Sequence, residues 1–490
     1  MRQRLGLTLA AIVFGLAATA NSGGYRYGVS DQAFYAAAVI KDLHPSFFPR
    51  DTPLLDTQAR LMWSDEIVAG LARAFGVELP PLYLALYALT LMGLFVAAIA
   101  FARAAGLSWW ATAALLVLLT FRHRIAKTGA NSLEGYMHPR ELAFALGVMA
   151  LASVLAGRYV RATIWTLAAA CWHPTTAVWF AIVIGVALVV ARPHSRRWVA
   201  TGAAVVAGVG LWTVLQGPLA GHLVVMDPAW LAVLAEKDYL FPHQWPLYAW
   251  VANLAYPIVV ALIYRDRRTR GAAVPGEGPL VAGLLALVAV FVVSLPLTMM
   301  RLALAVQMQV TRVFWLLDFV TAAYLAWWLV DRLLLDRRNA RLLVIGVLAG
   351  LSLGRGGYLL SQGRQLIAMT LPRTAWVDAM DWLKGQPSSW YVLADPGHAW
   401  KYGVSVRLAA EKDTLLEFGK DSALAMYDRR IAMAVADRLD ALRDFDRLTT
   451  DDMRALKARY GLDVVIVDAR RTLDLPVLYR NQQFVIYTLP

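Results

Sequence analysis

The feature that most constrains this chain is a series of apolar segments, each near the roughly 20 residues that an α-helix needs to cross a bilayer. They recur along the first 360 of its 490 residues, and 59% of all residues are hydrophobic. A water-soluble core cannot absorb so much apolar surface, whereas lipid can. The sequence therefore predicts a multispanning α-helical membrane protein with ten or eleven spans.

The predicted spans are 5–20, 81–102, 106–121, 140–157, 162–174, 176–191, 198–216, 246–264, 279–300, 313–331 and 341–360. The two short segments 162–174 and 176–191 also fit a hairpin that does not fully cross.

Short basic loops between these segments predict the orientation of the protein. Loops rich in Arg and Lys stay on the cytoplasmic side during insertion, and the stretches 157–161, 192–197, 265–270 and 331–341 are all basic. Placing them together in the cytoplasm is consistent with the spans, and it leaves the amino terminus inside and the carboxyl terminus outside. The same loops explain much of the net charge of +13, so nucleic acid is not expected as a partner.

The first apolar segment has a second interpretation. Its basic start, apolar core and Ala18-Thr19-Ala20 triplet are also typical of a cleaved signal peptide. Cleavage would leave the placement of every later loop unchanged. The lone Cys171 excludes an intramolecular disulfide bond.

The composition becomes polar and mixed from about Pro372. The runs "SSWYVLADP", "LDVVIVDA" and "FVIYTLP" are typical of short buried strands, and helical stretches lie between them. The sequence therefore predicts an extracytoplasmic α/β domain over 361–490. The preceding membrane domain, 1–360, includes an outer loop, 21–80, in which the amphipathic stretches 31–43 and 62–75 predict helices that lie flat on the membrane surface.

Two acidic residues of this outer loop are candidates for a site. Asp31 follows the first span directly and begins the first predicted surface helix, and Asp51 lies further along. Polar residues close to spans are costly and usually line a cavity. The alternative is that Ser30 or Asp31 merely caps the helix.

The second outer loop crowds charged groups in front of a span. Its stretch "NSLEGYMHPRELAF" contains Glu134, His138 and Arg140, and Pro139 suits the first turn of a helix. Such a dense group of charges is what a site for an anionic head group needs. Snorkelling at the membrane interface combined with a helix start is the alternative.

Two further stretches place polar groups at or near membrane depth. The "WHPTT" element around His173 interrupts an apolar run with a proline, and broken helices are tolerated at membrane depth where a cavity or neighbours satisfy the backbone. Gln309 and Arg312 precede a late span, with Arg301 and Arg355 on the same predicted side. The planar guanidinium of Arg suits phosphate oxygens, and snorkelling is again the alternative.

The layout, together with "SDQAFY", "HPRE", "WHPTTAVW" and "QVTR", resembles the GT-C superfamily of glycosyltransferases, which are membrane enzymes that use sugars carried on polyprenyl phosphates. The resemblance covers nearly the whole chain, although its motifs are short. The tail from "YGLDVVIVD" looks like the end of bacterial members, which implies the bacterial cytoplasmic membrane with a periplasmic carboxyl-terminal domain. The chain departs from the oligosaccharyltransferase type, because it lacks a WWD-type motif, and from protein O-mannosyltransferases, because Gln32 follows Asp31.

The resemblance implies a transferase that moves a hexose or pentose with inversion from a polyprenyl-phosphate donor to a hydroxyl of a cell-envelope glycan or protein, among membrane lipids. It implies that Asp31 is the catalytic base. The arginines implied to bind the donor phosphate are Arg140 and Arg312, followed by Arg301 and Arg355. The residues implied to bind substrate are Glu134, His138, His173, Gln309 and Asp51. Some members need Mg²⁺ or Mn²⁺, and the spacing of the acidic residues here leaves a metal site open.

Two other functions use the same features. A transporter or flippase of a lipid-linked saccharide would need the cavity and the arginines, although such proteins more often show paired repeats of spans. A non-catalytic subunit that binds a saccharide or lipid would keep the layout without the activity.

Overall fold

The computed structural model describes residues 2–335 and 337–490, and Met1 and Asp336 lie outside the described residues. The chain divides into two compact units. The first consists of Met1–Tyr25, Leu84–Val225 and Asp238–Ile367, and the second of Arg26–Tyr83, Met226–Lys237 and Ala368–Pro490. This division differs from the predicted boundary after residue 360, because most of the predicted outer loop belongs to the same unit as the carboxyl-terminal residues.

Each of the eleven predicted spans is helical. The long helices that belong wholly or mainly to the first unit are Arg2–Asn21, Leu79–Ala104, Trp109–Leu119, Pro139–Leu155, Tyr159–Trp172, Pro174–Ala191, Arg196–Leu215, Leu247–Thr269, Glu277–Met299, Val313–Trp327 and Arg338–Ser361. A π-helical turn, Trp328–Leu333, extends the Val313–Trp327 helix at its carboxyl end. The short helix Ala303–Gln307 precedes the Val313–Trp327 helix in the chain. Short 3₁₀ turns cover Pro193–Ser195, Asp238–Leu240, Pro242–Gln244 and Val310–Arg312. The predicted break at His173 is confirmed, because one helix ends at Trp172 and the next begins at Pro174.

Six helical segments among the described residues are long and apolar enough to cross a membrane: Leu79–Ala104, Pro174–Ala191, Leu247–Thr269, Glu277–Met299, Ala303–Leu333 and Arg338–Ser361. Several of them expose large apolar side chains, for example Leu343 and Val347 on the last helix. Water disfavours such continuous apolar faces, whereas lipid accepts them. The chain is therefore a multi-pass α-helical membrane protein.

An aromatic core fixes the helix that begins at Pro139. The ring of Phe144 stacks on Trp315, with ring centroids 4.0 Å apart, and meets Phe180 edge to face at 5.7 Å. Gly147 allows this approach, because a Cβ atom there would lie 2.1 Å from the ring of Phe180. This packing fixes the Pro139–Leu155 helix, whose first turn carries Arg140.

The second unit combines three helices of the predicted outer loop with an α/β arrangement. The loop helices are Gln32–Leu43, Thr52–Ala59 and Ser64–Phe75. The first and third confirm that the stretches 31–43 and 62–75 are helical, whereas their location on the membrane surface stays a prediction. The second was not predicted. The other helices are Pro228–Val233, Ala375–Lys384, His398–Lys401, Val406–Ala409, Asp421–Leu424, Arg429–Ala441 and Thr450–Tyr460, with 3₁₀ turns at Ala425–Tyr427 and Phe445–Arg447.

A five-stranded sheet forms the centre of the carboxyl-terminal part. Its strands lie in the order Asp413–Thr414, Tyr391–Leu393, Val464–Asp468, Phe484–Thr488 and Val477–Arg480. The first three are parallel, and the last two pair antiparallel. The three predicted strands are confirmed, and the two edge strands were missed. Two-residue strands also occur at Tyr25–Arg26, Arg124–Ile125, Ala130–Asn131 and Ile367–Ala368.

Candidate functional site

In the first unit, the loop 122–138 forms a small hairpin in front of the Pro139–Leu155 helix. The strands Arg124–Ile125 and Ala130–Asn131 pair antiparallel. The side-chain amide of Asn131 donates a hydrogen bond to Oε1 of Glu134 at 2.9 Å. The hairpin therefore holds the Glu134 carboxylate in one orientation beside the start of the helix.

Two guanidinium groups bind this carboxylate. Nη2 of Arg140 lies 2.6 Å from Oε1 of Glu134, and Nη2 of Arg122 lies 3.3 Å from Oε2. Arg140 and Glu134 are buried, whereas 35% of the Arg122 side chain is exposed. The sequence-based prediction included Glu134 and Arg140 but missed Arg122. Its position at the end of an apolar segment resembles that of many snorkelling arginines, so the sequence offered no signal to separate it from them.

Two His-Pro pairs cap helices in the same way. Nδ1 of His138 accepts a hydrogen bond from the backbone N–H of Arg140, and Nδ1 of His173 accepts one from the backbone N–H of Thr176, each at 3.2 Å. Proline follows at the first helical position in both cases, where its missing N–H costs nothing. An imidazole that accepts at Nδ1 carries its proton at Nε2 when neutral. Each histidine thus presents Nε2–H as a hydrogen-bond donor.

Four predicted residues from three separate stretches come together here. Arg140, His138 and Arg312 all interact electrostatically with His173. Arg312 is positioned by a tight turn, because the carbonyl oxygen of the buried Gln309 accepts a hydrogen bond from its backbone N–H at 3.0 Å. Gln309 adopts a left-handed conformation with φ of 50°, which is uncommon for a residue other than glycine and often marks a functional turn.

The two remaining predicted arginines have different surroundings. Arg355 donates to the side-chain oxygen of Asn21 at 2.9 Å and to the backbone oxygen of Arg122 at 3.0 Å, so it lies beside the loop that carries Arg122. Arg301 is exposed, has φ of 61° and interacts electrostatically with His243. The structure therefore places Arg355 at the edge of the cationic group and connects Arg301 with a different segment.

In the second unit, Asp31 precedes the Gln32–Leu43 helix without capping it through its side chain. The alternative that Ser30 caps the helix stays a prediction, whereas no capping hydrogen bond is made by the side chain of Asp31. Its Oδ1 instead accepts a hydrogen bond from Nζ of Lys420 at 2.8 Å, and 27% of the aspartate side chain is exposed. Nζ of Lys237 donates to the backbone oxygen of Gly419 at 2.8 Å. Burial, together with the nearby Lys420 ammonium, lowers the pKa of Lys237.

The carboxylate of Asp51 forms an ion pair with a buried arginine of the same unit. Its Oδ2 accepts hydrogen bonds from Nε of Arg407 at 2.7 Å and from the backbone N–H of Thr414 at 2.9 Å. Arg407 also forms a bidentate pair with Asp421 at 2.6 and 3.0 Å. The predicted substrate-binding role of Asp51 stays a prediction, whereas the contacts themselves attach the loop to the carboxyl-terminal part of the unit.

Three further carboxylates lie together on the loop helices. One oxygen from each of Asp42, Asp65 and Glu66 lies within 4.8 Å of the others, and this is the one group of three or more such ligands found in residues 2–335 and 337–490. Asp31 is not part of this group, and its carboxylate pairs with Lys420 instead. The described surroundings of Asp31 thus do not supply three ligands for the divalent metal ion that the resemblance allows there.

A polar cleft of about 760 Å³ also opens within the second unit. Its lining includes the aromatic ring of Tyr27, the carboxylates of Asp378, Asp381 and Glu411, and the guanidinium of Arg373. Aromatic faces combined with carboxylates suit a polyhydroxylated ligand, because sugars offer both apolar C–H faces and hydroxyl donors.

No known family model matches the chain, and no curated protein matches it. Among the solved structures that are similar to it, two are described here. The first is the oligosaccharyltransferase of Archaeoglobus fulgidus in complex with Zn and sulfate, with 13% identity and a TM-score of 0.47 over 94% of this chain and 67% of that chain. The second is the archaeal oligosaccharyltransferase AglB from Archaeoglobus fulgidus in complex with an inhibitory peptide and a dolichol-phosphate, with 12% identity and a TM-score of 0.47 over 95% of this chain and 70% of that chain. At this level of similarity, activity has to be inferred from the side chains.

Proposed function

We propose that this protein is a glycosyltransferase that moves a sugar from a polyprenyl-phosphate donor to an acceptor hydroxyl at the outer face of a bacterial cytoplasmic membrane. The observation that supports it most is the convergence of Arg140, Arg312, His138 and His173 in the helical unit. These side chains offer hydrogen-bond donors and positive charge next to apolar helices. A phosphate group carried on a lipid is the ligand that satisfies both features.

The charges within this group favour an anion. Arg122, Arg140 and Arg312 carry positive charge, and Glu134 neutralises only part of it. Guanidinium groups form short, strong hydrogen bonds with phosphate oxygens. When the bond between the sugar and the phosphate breaks, negative charge accumulates on the leaving phosphate, and fixed positive groups stabilise that charge. We assign donor-phosphate binding to these arginines, with Arg355 beside them.

Asp31 is the proposed general base. It removes the proton from the acceptor hydroxyl while the hydroxyl oxygen forms a new bond to the anomeric carbon. The bond from that carbon to the phosphate oxygen breaks, polyprenyl phosphate leaves with the electron pair, and the configuration inverts. The ammonium of Lys420 lies 2.8 Å from the carboxylate and fixes its position. The polar cleft lined by Tyr27 is the proposed acceptor site.

A pair of matched substitutions tests the proposal. Asp31→Asn should lower sugar transfer by about 10²–10⁴-fold, because it removes a positioned general base, and donor binding should persist. Asp227→Asn is the control, since Asp227 also precedes a helix of the second unit and pairs with an arginine, Arg429, at 2.5 Å. Purified full-length protein in lipid nanodiscs would be assayed with polyprenyl-phosphate hexoses and pentoses, and released polyprenyl phosphate would be measured.

The same assay separates the two alternative functions. Undiminished transfer by Asp31→Asn would refute the role of Asp31 as base. A saccharide-binding subunit would bind donor without turnover in the wild-type protein, and a flippase would move labelled donor across a vesicle membrane without releasing polyprenyl phosphate. Either result would refute the transferase. Mass spectrometry of cell-envelope glycans with and without this protein would then identify the sugar and the acceptor.

A further inference from the structure

We propose that His123 and Asp318 are positioning residues of the donor-phosphate group, because their ion pair holds the loop 122–138 on the Val313–Trp327 helix while the imidazole is protonated. Both residues lie in the first unit, and neither was among the predicted site residues. This role rests on the proposed function, since it concerns the same donor phosphate. The ion pair itself is a feature of the fold.

Both ring nitrogens of His123 face hydrogen-bond acceptors. Nε2 lies 3.0 Å from Oδ1 of Asp318, and Nδ1 lies 3.1 Å from the backbone oxygen of Phe121. A neutral imidazole carries one N–H and can donate to only one of these oxygens, whereas an imidazolium donates to both. The surroundings therefore select the charged form. In agreement with this, the hydrogen bond to Asp318 raises the pKa of His123 above its ordinary value.

Asp318 is the single charged residue of the Val313–Trp327 helix, and 14% of its side chain is exposed. Ionisable residues in membrane-spanning segments are costly, and they usually have both a partner and a function. His123 supplies the partner from the loop that also carries Arg122 and Glu134. The sequence gave no signal for this pair, because its two members are 195 positions apart.

The other groups that face this ion pair leave the carboxylate to His123. Among the described residues, Arg355 of the Arg338–Ser361 helix is the second charged group near the imidazole. Its guanidinium donates hydrogen bonds to Asn21 and to the backbone oxygen of Arg122 instead. The hydroxyl of Tyr256, on the Leu247–Thr269 helix, also faces Asp318, and a phenol carries no charge that could replace the imidazolium.

His123 lies at the base of the hairpin that orients Glu134. The backbone N–H of Ser132 donates to the backbone oxygen of His123 at 2.9 Å, and the hydroxyl of Ser132 accepts from the backbone N–H of His123 at 3.0 Å. The preceding residue, Arg122, donates to the backbone oxygen of Leu133 at 3.0 Å and binds Glu134. The ion pair therefore fixes the positions of Arg122 and Glu134 relative to the membrane helix.

Loss of the imidazole proton should weaken this attachment. One ring nitrogen then becomes an acceptor that faces an oxygen at 3.0 or 3.1 Å, and Asp318 loses its counter-charge. Because 46% of the His123 side chain is exposed, it can exchange protons with solvent. Its pKa is raised in the folded state, so the contribution to stability is complete below about pH 6.5 and is lost as the pH rises through the folded-state pKa.

Binding of polyprenyl phosphate to the full-length protein in nanodiscs tests the positioning role between pH 7 and pH 9, where the phosphate is already doubly charged. The Kd of the wild type should rise about tenfold or more across this range, because one charge-assisted hydrogen bond is lost. Asp318→Asn keeps an acceptor oxygen but no charge, so it should bind weakly already at pH 7 and change little above it. His123→Gln keeps a donor that does not titrate and should remove the pH dependence. His243→Gln, at an exposed histidine of the same unit, is the control and should match the wild type.

Thermal unfolding of the same variants without ligand tests the ion pair separately from the transfer reaction. His123→Gln should lower the unfolding midpoint more at pH 6 than at pH 9, because the wild type has the ion pair only at the lower pH. A difference that stays constant with pH would refute the titration of His123. If the wild type binds polyprenyl phosphate and its Kd changes with pH as in Asp318→Asn and His123→Gln, the positioning role is refuted while the proposed function stands. Absence of binding by the wild type at every pH would overturn the proposed function and this role together.

Discussion

Replacement of Arg407 by methionine should strongly destabilise the second unit. The Arg407 side chain is 1% exposed and pairs with Asp51 at 2.7 Å and with Asp421 at 2.6 Å. Glu417 lies 3.7 Å away, so the guanidinium is the central positive charge among three carboxylates. Removal of one partner from a buried ion pair costs about 3–5 kcal/mol, because the other charge stays buried without compensation. In Arg407→Met more than one carboxylate is left without its partner, so the decrease in the free energy of unfolding should be at least this large.

Asp51→Asn should lower the free energy of unfolding much less than Arg407→Met does. The asparagine side-chain oxygen can still accept the hydrogen bonds from Arg407 and from the backbone of Thr414. Asp51→Asn removes only one negative charge, from a group in which carboxylates outnumber the guanidinium. We therefore expect the free energy of unfolding to decrease by about 1–2 kcal/mol. In the double variant, Asp51→Asn should recover about 1–3 kcal/mol of the loss caused by Arg407→Met, because one uncompensated charge disappears.

Thermal unfolding of the full-length protein in nanodiscs measures these differences. For a folded unit of this size, 1 kcal/mol corresponds to about 2–4 °C, so Arg407→Met should lower the unfolding midpoint by about 10 °C or more. Arg443→Met is the control, because its pair with Asp440 is 77% and 75% exposed and exposed pairs contribute little. A midpoint within 2 °C of wild type for Arg407→Met would refute the reasoning. A raised KM in Asp51→Asn with an unchanged midpoint would instead favour the substrate-binding role of Asp51.

Three further substitutions test individual contacts. Burial and the nearby Asp51 carboxylate raise the pKa of Asp413 to about 6. The folded state therefore binds more protons than the unfolded state between pH 4 and pH 6, and stability should fall by up to about 3 kcal/mol as the pH rises through this window. Asp413→Asn should remove that dependence in unfolding measured across the same pH range. Glu134→Gln should lower the unfolding midpoint by an amount equivalent to about 2–4 kcal/mol, because two guanidinium groups lose their shared counter-charge; an unchanged midpoint would contradict this pairing. Gly147→Ala should lower the free energy of unfolding by about 1–3 kcal/mol, because the added methyl group overpacks against the ring of Phe180. Thermal unfolding measures this change, and an unchanged midpoint would show that the ring can move.

The helical part of the fold could be predicted from the sequence because its signal is local. A run of about 20 apolar residues specifies a membrane helix without reference to the rest of the chain, and all eleven predicted spans are helical. The His-Pro pairs at His138 and His173 are similarly local, since a cap and a first-turn proline suffice to start a helix. Short edge strands such as Asp413–Thr414 were missed because two residues carry no periodicity.

The partners of the candidate site residues could not be predicted, because they come from distant parts of the chain. Lys420 follows Asp31 by 389 positions, and nothing in its local sequence separates it from a solvated lysine. The same holds for Arg407, which lies 356 positions after Asp51. The sequence showed which residues were chemically suitable, whereas only the fold shows which neighbours they have.

These distant contacts predict that the carboxyl-terminal residues are required for the proposed catalytic loop rather than being an accessory. A chain that ends at Ile367 would lose Lys420, the partner of Asp31, and Arg407, the partner of Asp51. All of the first unit would remain, so we expect the truncated protein to insert into membranes and to keep binding polyprenyl phosphate. It should transfer no sugar, and residues 26–83 should become sensitive to protease in inside-out or right-side-out vesicles, whichever exposes that loop. If the truncated protein kept both full activity and a protected loop, the contacts of Lys420 and Arg407 could not be what holds Asp31 in place.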